Sequence, residues 1–140
     1  MGSYADDALF MSRNNIEYVE LISDDGKSKV MVIPAWQGRV MTTSAAGDEG
    51  DSYGWINYSF IKKRQIDLQF NPVGGEERFW LGPEGGVFSL YFRQGEKQIY
   101  KNWKVPPVLD IEAFKIQSQS KNCICLTKEG CLTNACGTTF

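Results

Sequence analysis

The sequence of 140 residues contains no histidine. This absence excludes a Ser-His-Asp or Cys-His catalytic arrangement within the chain, and it removes the usual imidazole acid or base. Any catalysis confined to these residues would have to use carboxylates, lysine, tyrosine or cysteine. Histidine content alone leaves open whether the chain belongs to an enzyme.

The sequence also lacks long apolar runs and basic stripes. No apolar run approaches the roughly 20 residues that a membrane span needs, and the formal net charge is -2 with lysine and arginine scattered along the chain. We therefore expect neither a membrane nor a nucleic acid as partner. The first residues, MGSYADD, have no basic start and no apolar segment, so we expect no secretory signal in this chain. A periplasmic or secreted location would require a signal that had been removed.

Cysteine is confined to one short stretch near the end of the chain. Its spacing there is C-x-C-x5-C-x4-C, which differs from the C-x2-4-C pairs of structural zinc sites. Small disulfide scaffolds distribute their cysteines along the whole chain, although one disulfide pair stays an alternative here. We expect free thiols buried in a strand and the turn after it, with no metal and no cofactor. The four positions are Cys123, Cys125, Cys131 and Cys136.

What the sequence does contain is typical of a β-rich domain, with 42% hydrophobic and 13% aromatic residues. Asp25-Gly26 is a strong hairpin signal between two strand patterns. Six or seven strands and at most one or two short helices predict an all-β fold, an antiparallel β-sandwich, in a single domain over residues 1–140. Residues 133–140 look like the entrance to a further strand, so we expect an incomplete, N-terminal part of a larger domain. Strands are expected at 16–22, 28–33, 37–44, 87–93, 111–118 and 122–128, a helix at 5–12, and a strand or short helix at 53–61.

The segment 71–86 holds five of the fourteen glycines and two of the five prolines. It is predicted to be a long ordered loop, and such loops are often functional. Carboxylates and arginine bind hydroxyl groups, and tryptophan offers a flat apolar face to the C–H surface of a sugar. The alternative is that a Glu–Arg pair and a buried tryptophan only hold the loop in place. The candidate ligand-binding residues of this segment are Glu76, Glu77, Arg78, Trp80 and Glu84.

Four further side chains are weaker candidates for the same role. Arg39 lies on an expected strand, where an inward-facing arginine is unusual and an edge charge that discourages aggregation is the alternative. Trp36, Trp55 and Trp103 would suit stacking against a sugar, but each is also an ordinary core or loop-packing residue.

Two pairs of stretches resemble a known family. One pair is 34–47 (PAWQGRVMTTSAAG) with 52–57 (SYGWIN), and the other is 74–86 (GGEERFWLGPEGG) with 102–106 (NWKVP). Together they resemble an uncharacterised bacterial family placed among the galactose mutarotase-like, or aldose 1-epimerase-like, domains. The resemblance extends from about Tyr4 to Phe140.

This resemblance implies a β-supersandwich with a sugar-binding cleft, about twice as long as this chain. In such proteins a glutamate base and histidine acids open and reclose the sugar ring. The glutamate lies in the C-terminal half and this chain has no histidine, so no catalytic role is carried over. Arg78 resembles the arginine that lines the cleft. Glu77, Trp80 and Glu84 are carried over only as its neighbours in the motif.

Three functions therefore compete at the level of sequence. The first is carbohydrate binding by a portion that is catalytically incomplete by itself. The second is an aldose epimerase or a carboxylate-dependent glycosidase in a full-length form. The third is a structural or interaction β-module without a ligand. An incomplete sandwich would also leave sheet edges open, from which we expect self-association.

Overall fold

A computed structural model describes residues 2–140. Helix α1, Tyr4–Arg13, opens the chain. Ser3 begins it with a capping box, because its side chain accepts the backbone N–H of Asp6 while the Asp6 carboxylate accepts that of Ser3. The hydrogen bond from the Ser3 backbone lowers the pKa of Asp6 below its usual value. The helix expected at 5–12 is therefore confirmed with one extra residue at each end.

The first sheet is antiparallel and has the order β1–β2–β3. Its strands are β1, Val19–Ile22, β2, Lys29–Ile33, and β3, Arg39–Ser44. The expected turn closes β1 and β2, with the Ser23 N–H bonded to Ser28 O at 2.9 Å. Gly26 there has a φ of 74°, a conformation that costs glycine little. A bulge interrupts the pairing of β2 with β3 between Met31 and Val32.

The second sheet is a hairpin of β4, Lys115–Gln119, and β5, Ile124–Thr127. Every residue of β4 is exposed. All four cysteines are free, as expected, but they are exposed, not buried. The expectation of buried thiols is wrong because Cys123 and Cys125 lie on a hairpin that is largely exposed, and Cys131 and Cys136 lie at exposed positions in the segment that follows it.

The described residues form a β-rich fold with antiparallel sheets and short helices. They contain five strands, fewer than expected, and three α-helices, one more than expected. For the segment 53–61, expected to be a strand or a short helix, the structure has a short helix at its end: α2, Tyr58–Lys63. Helix α3 is the single turn Pro107–Asp110. No helix in residues 2–140 is long and apolar enough to cross a membrane.

Two hydrophobic clusters hold the fold together. The first lies between α1, the first sheet and α2, and the second lies beneath the loops around residues 90–109. Residues 87–93 do not form the strand expected there, and residues 90–92 belong to the second cluster. Three consecutive side chains, Leu90, Tyr91 and Phe92, are all buried. A half-buried strand would turn alternate side chains outwards.

Candidate functional site

The loop 71–86 is attached to the edge of the first sheet through its backbone. Glu77 O accepts the Val40 N–H at 3.0 Å, and the Gly75 N–H bonds Trp55 O at 2.8 Å. Gly74 has a φ of 98°, and a Cβ added to it would lie 2.2 Å from Trp55 O. Only glycine allows so close an approach of the two backbones at this φ. The first part of the loop is therefore fixed in position.

The two adjacent glutamates have different surroundings. The Glu76 carboxylate accepts the Thr43 hydroxyl at 3.0 Å and also its backbone N–H. Glu77 pairs with β3 through its backbone only, and its side chain is exposed. Glu76 therefore fastens the loop to β3, and Glu77 projects into solvent beside that contact.

The two candidate arginines meet in the interior beneath the loop. Arg39 is 3% exposed, and its Nη1 donates to Gly74 O at 2.7 Å. Arg78 Nη2 donates to Leu109 O at 2.6 Å and forms an ion pair with Asp110 Oδ1 at 3.4 Å. Within residues 2–140 the Nε of each arginine has no hydrogen-bond partner.

Burial dominates the electrostatics of this pair of arginines. It lowers the pKa of Arg39 to about 10, with the charge of Arg78 acting in the same direction. Burial also lowers the pKa of Arg78, against the opposing effect of Asp110. Arg78 thus pairs directly with the buried Asp110 carboxylate, whereas Arg39 is influenced by its charge without a direct contact.

Asp110 connects the start of the loop to α3. Its Oδ2 accepts the Asn71 backbone N–H at 2.9 Å and the Asn71 Nδ2 at 2.7 Å, while Oδ1 faces Arg78. Both residues are almost fully buried. Neither Asn71 nor Asp110 was a candidate from the sequence. Residues 39 positions apart form no local pattern that would indicate their contact.

Aromatic rings extend from Arg78 towards the surface. The Arg78 guanidinium lies 4.1 Å from the Trp80 ring centroid, within the range of cation–π attraction. Trp80 Nε1 donates to Glu84 Oε1 at 2.8 Å. Tyr91 and Tyr100 both stack on Trp103, with interplanar angles of 7° and 13°. The three rings are nearly parallel, and Trp103 and Tyr100 form the aromatic surface that stays partly or largely exposed.

This aromatic surface borders an open depression of about 390 Å³. Glu84 and Gln98 supply polar groups there, and Tyr100 is 77% exposed. Gln98 is held by two hydrogen bonds of 2.8 Å to the backbone of Gly86, one in each direction. The depression is lined by Glu84, Phe92, Gln98, Ile99, Tyr100 and Trp103.

The structure brings together some of the sequence-derived candidates and separates others. Arg78, Trp80 and Glu84 form a continuous series of contacts that leads from the interior to the depression. Arg39 lies near Arg78 but is buried, and Glu76 contacts β3 instead.

The other candidate tryptophans lie elsewhere. Trp36 lines a separate cavity of about 410 Å³, together with Arg64, Asn71 and Asp110. Trp55 is 64% exposed on the surface. Gln98 and Tyr100 were not predicted from the sequence because the turn that carries them has no distinctive composition.

The comparison with known families gives one result. The sequence matches a family of unknown function, DUF6786, over residues 2–140. The chain belongs to this family. No curated protein and no solved structure matches the chain significantly.

Among residues 2–140, no group of three or more cysteine, aspartate or glutamate side chains is placed to hold a metal ion. Taken together, the contacts described above define a candidate site with two parts. One is the depression beside Glu84, and the other is the Arg39–Arg78–Asp110 cluster behind it.

Proposed function

We propose that this chain is a carbohydrate-binding portion of a galactose mutarotase-like protein, and that its two antiparallel sheets are part of a larger β-sandwich. The observation that carries the binding proposal is the exposed Tyr100 ring, stacked on Trp103, with Glu84 and Gln98 beside it in the same depression. A sugar ring needs an apolar plane for its C–H face and acceptors or donors for its hydroxyls, and this surface offers both.

Glu84 is the residue best placed to bind hydroxyl groups. One of its oxygens accepts the Trp80 indole N–H, which fixes the carboxylate and leaves the other oxygen free for a ligand. A hydrogen bond from a hydroxyl to a charged carboxylate is stronger than one to a neutral acceptor. The depression would thus orient a sugar by Glu84 and hold it by stacking on Tyr100.

The proposal is limited to binding. Glu84 is the one carboxylate among the residues that line the depression, whereas the usual routes of glycoside hydrolysis need two. The buried Arg39–Arg78–Asp110 cluster supports the loop from behind and is shielded from a ligand in the depression.

Saturation-transfer-difference NMR with a panel of neutral mono- and oligosaccharides tests the proposal. We expect at least one sugar to bind, and Tyr100→Ala or Glu84→Gln to weaken its binding about three- to tenfold. Tyr53→Ala is the matched control, because Tyr53 is also exposed but lies outside the depression. If no sugar of the panel binds at millimolar concentration, or if all three variants bind alike, the proposal is wrong.

A further inference from the structure

Another cavity, distinct from the depression beside Glu84 and from the cavity beside Trp36, has a positively charged rim. It lies along a basic segment: residues 93–104 contain four cations and one carboxylate, in a chain whose net charge is -2. The cavity measures about 480 Å³, a size typical of small-molecule sites. Three segments of the chain, 90–94, 102–107 and 131–134, form its walls.

The lining of this cavity combines an apolar floor with a cationic rim. Leu90, Phe92 and Val105 belong to the floor and are buried side chains of the second hydrophobic cluster. Arg93 and Lys104 are exposed and supply two positive charges. No aspartate or glutamate is among the lining residues.

Both cations are without an ionic partner in the part of the chain that the structure describes. The salt bridges of residues 2–140 involve neither Arg93 nor Lys104. Glu96 is near, but its carboxylate accepts the backbone N–H of Arg93 at 3.4 Å and not the guanidinium. The two positive charges are therefore available to a ligand.

A buried amide adds a third donor to the same cavity. Asn134 lines the cavity and is 7% exposed. Its Oδ1 accepts the Thr138 backbone N–H at 2.9 Å, which fixes the orientation of the amide. The Nδ2 of Asn134 then points the other way, and it makes no hydrogen bond to any of residues 2–140. This N–H₂ group is not among the buried polar atoms that lack a partner in residues 2–140, so it reaches solvent and can donate to a ligand.

We propose that this cavity binds a small organic anion. A carboxylate or phosphate group would accept hydrogen bonds from Arg93, Lys104 and Asn134 Nδ2, and the carbon skeleton would lie on the apolar floor. Charge-assisted hydrogen bonds from arginine and lysine are the usual means of holding such oxyanions. This proposal does not depend on carbohydrate binding beside Glu84, because Phe92 is the one residue that lines both cavities.

Titration of the protein with matched pairs of anionic and neutral ligands tests the inference. Benzoate is compared with benzyl alcohol, and glucose 6-phosphate with glucose, at a fixed ionic strength of about 0.15 M. Amide shifts in heteronuclear NMR report both the affinity and the location. We expect at least one anion to bind about tenfold more tightly than its neutral counterpart, with shifts at Arg93, Lys104 and Asn134. The pair that responds identifies whether carboxylate or phosphate is preferred.

Three variants distinguish a specific anion-binding site from non-specific electrostatic attraction to the basic segment. Lys104→Gln removes one cation from the rim, and Asn134→Asp keeps the acceptor for Thr138 while it replaces the donor with a like charge. Each should weaken anion binding about tenfold. Lys101→Gln removes a charge from the same segment but outside the lining, and it should change the affinity less than about twofold. Circular dichroism establishes that each variant is folded.

Two results would overturn the inference. One is equal binding, or no binding, of each anion and its neutral counterpart. The other is a loss of affinity in Lys101→Gln as large as that in Lys104→Gln, with Asn134→Asp unaffected. Because the depression beside Glu84 is probed with neutral sugars and other residues, failure there leaves this test unchanged.

Discussion

Replacing Asp110 with asparagine leaves the largely buried Arg78 guanidinium without its carboxylate partner and removes the nearby negative charge from Arg39. The Asp110 side chain is 3% exposed and pairs with Arg78 at 3.4 Å, and its charge also acts on Arg39. Removal of one partner from a buried ion pair costs about 3–5 kcal/mol, since the remaining charge stays desolvated. Asparagine keeps an oxygen that can accept the Asn71 N–H groups, so we expect the lower end of this range for Asp110→Asn.

Urea unfolding, followed by tryptophan fluorescence, measures this effect. With a urea dependence of about 1–3 kcal/mol per M, a loss of about 3 kcal/mol lowers the midpoint by about 1–3 M. The matched control is Asp24→Asn. Its carboxylate is 95% exposed and pairs with an exposed Lys121, so the free energy of unfolding should change by less than about 0.5 kcal/mol.

A double-mutant cycle identifies the cause of the loss. If the stranded charge of Arg78 is responsible, Arg78→Met combined with Asp110→Asn should cost less than the sum of the two single changes. A loss below about 1 kcal/mol in Asp110→Asn, or strictly additive single changes, would refute the reasoning that this ion pair stabilises the loop.

Two further predictions concern the loop and the hydroxyl of Tyr58. Gly74→Ala should destabilise the fold by about 1–3 kcal/mol, because of its positive φ and the 2.2 Å approach to Trp55 O. Gly85→Ala, where a Cβ meets only an ordinary contact, should be nearly neutral in the same urea assay; equal losses would contradict the argument. Burial, together with the Asp7 carboxylate, raises the pKa of Tyr58 from 10.0 to about 12. The folded state therefore keeps this proton where the unfolded state loses it, and the stability from Tyr58 is complete below about pH 10 and falls as the pH rises towards 12. Tyr58→Phe should reduce the decline in urea midpoint between about pH 9 and pH 11 without abolishing it, because burial also raises the pKa of Tyr4 and Tyr91. An unchanged decline would be inconsistent with this assignment.

Much of the local structure follows from the sequence alone. Asp25-Gly26 closes the first hairpin because glycine adopts the positive φ of the turn. Ser3 and Asp6 begin α1 through a three-residue spacing that capping requires. The loop 71–86 is irregular because its glycines and prolines exclude a continuous helix or strand. These features depend on residues a few positions apart, so sequence patterns record them.

The features that only the tertiary structure decided depend on distant contacts. Residues 87–93 have the composition of a strand, but Leu90, Tyr91 and Phe92 are buried in succession and do not alternate between a buried and an exposed face. The pairing of Arg78 with Asp110 and the stacking of Tyr91 on Trp103 each join segments with no common local pattern. The sequence by itself therefore determined which residues the loop contains. The three-dimensional packing decided which of them support the loop from within and which line its open cavity, because burial is a property of the whole chain.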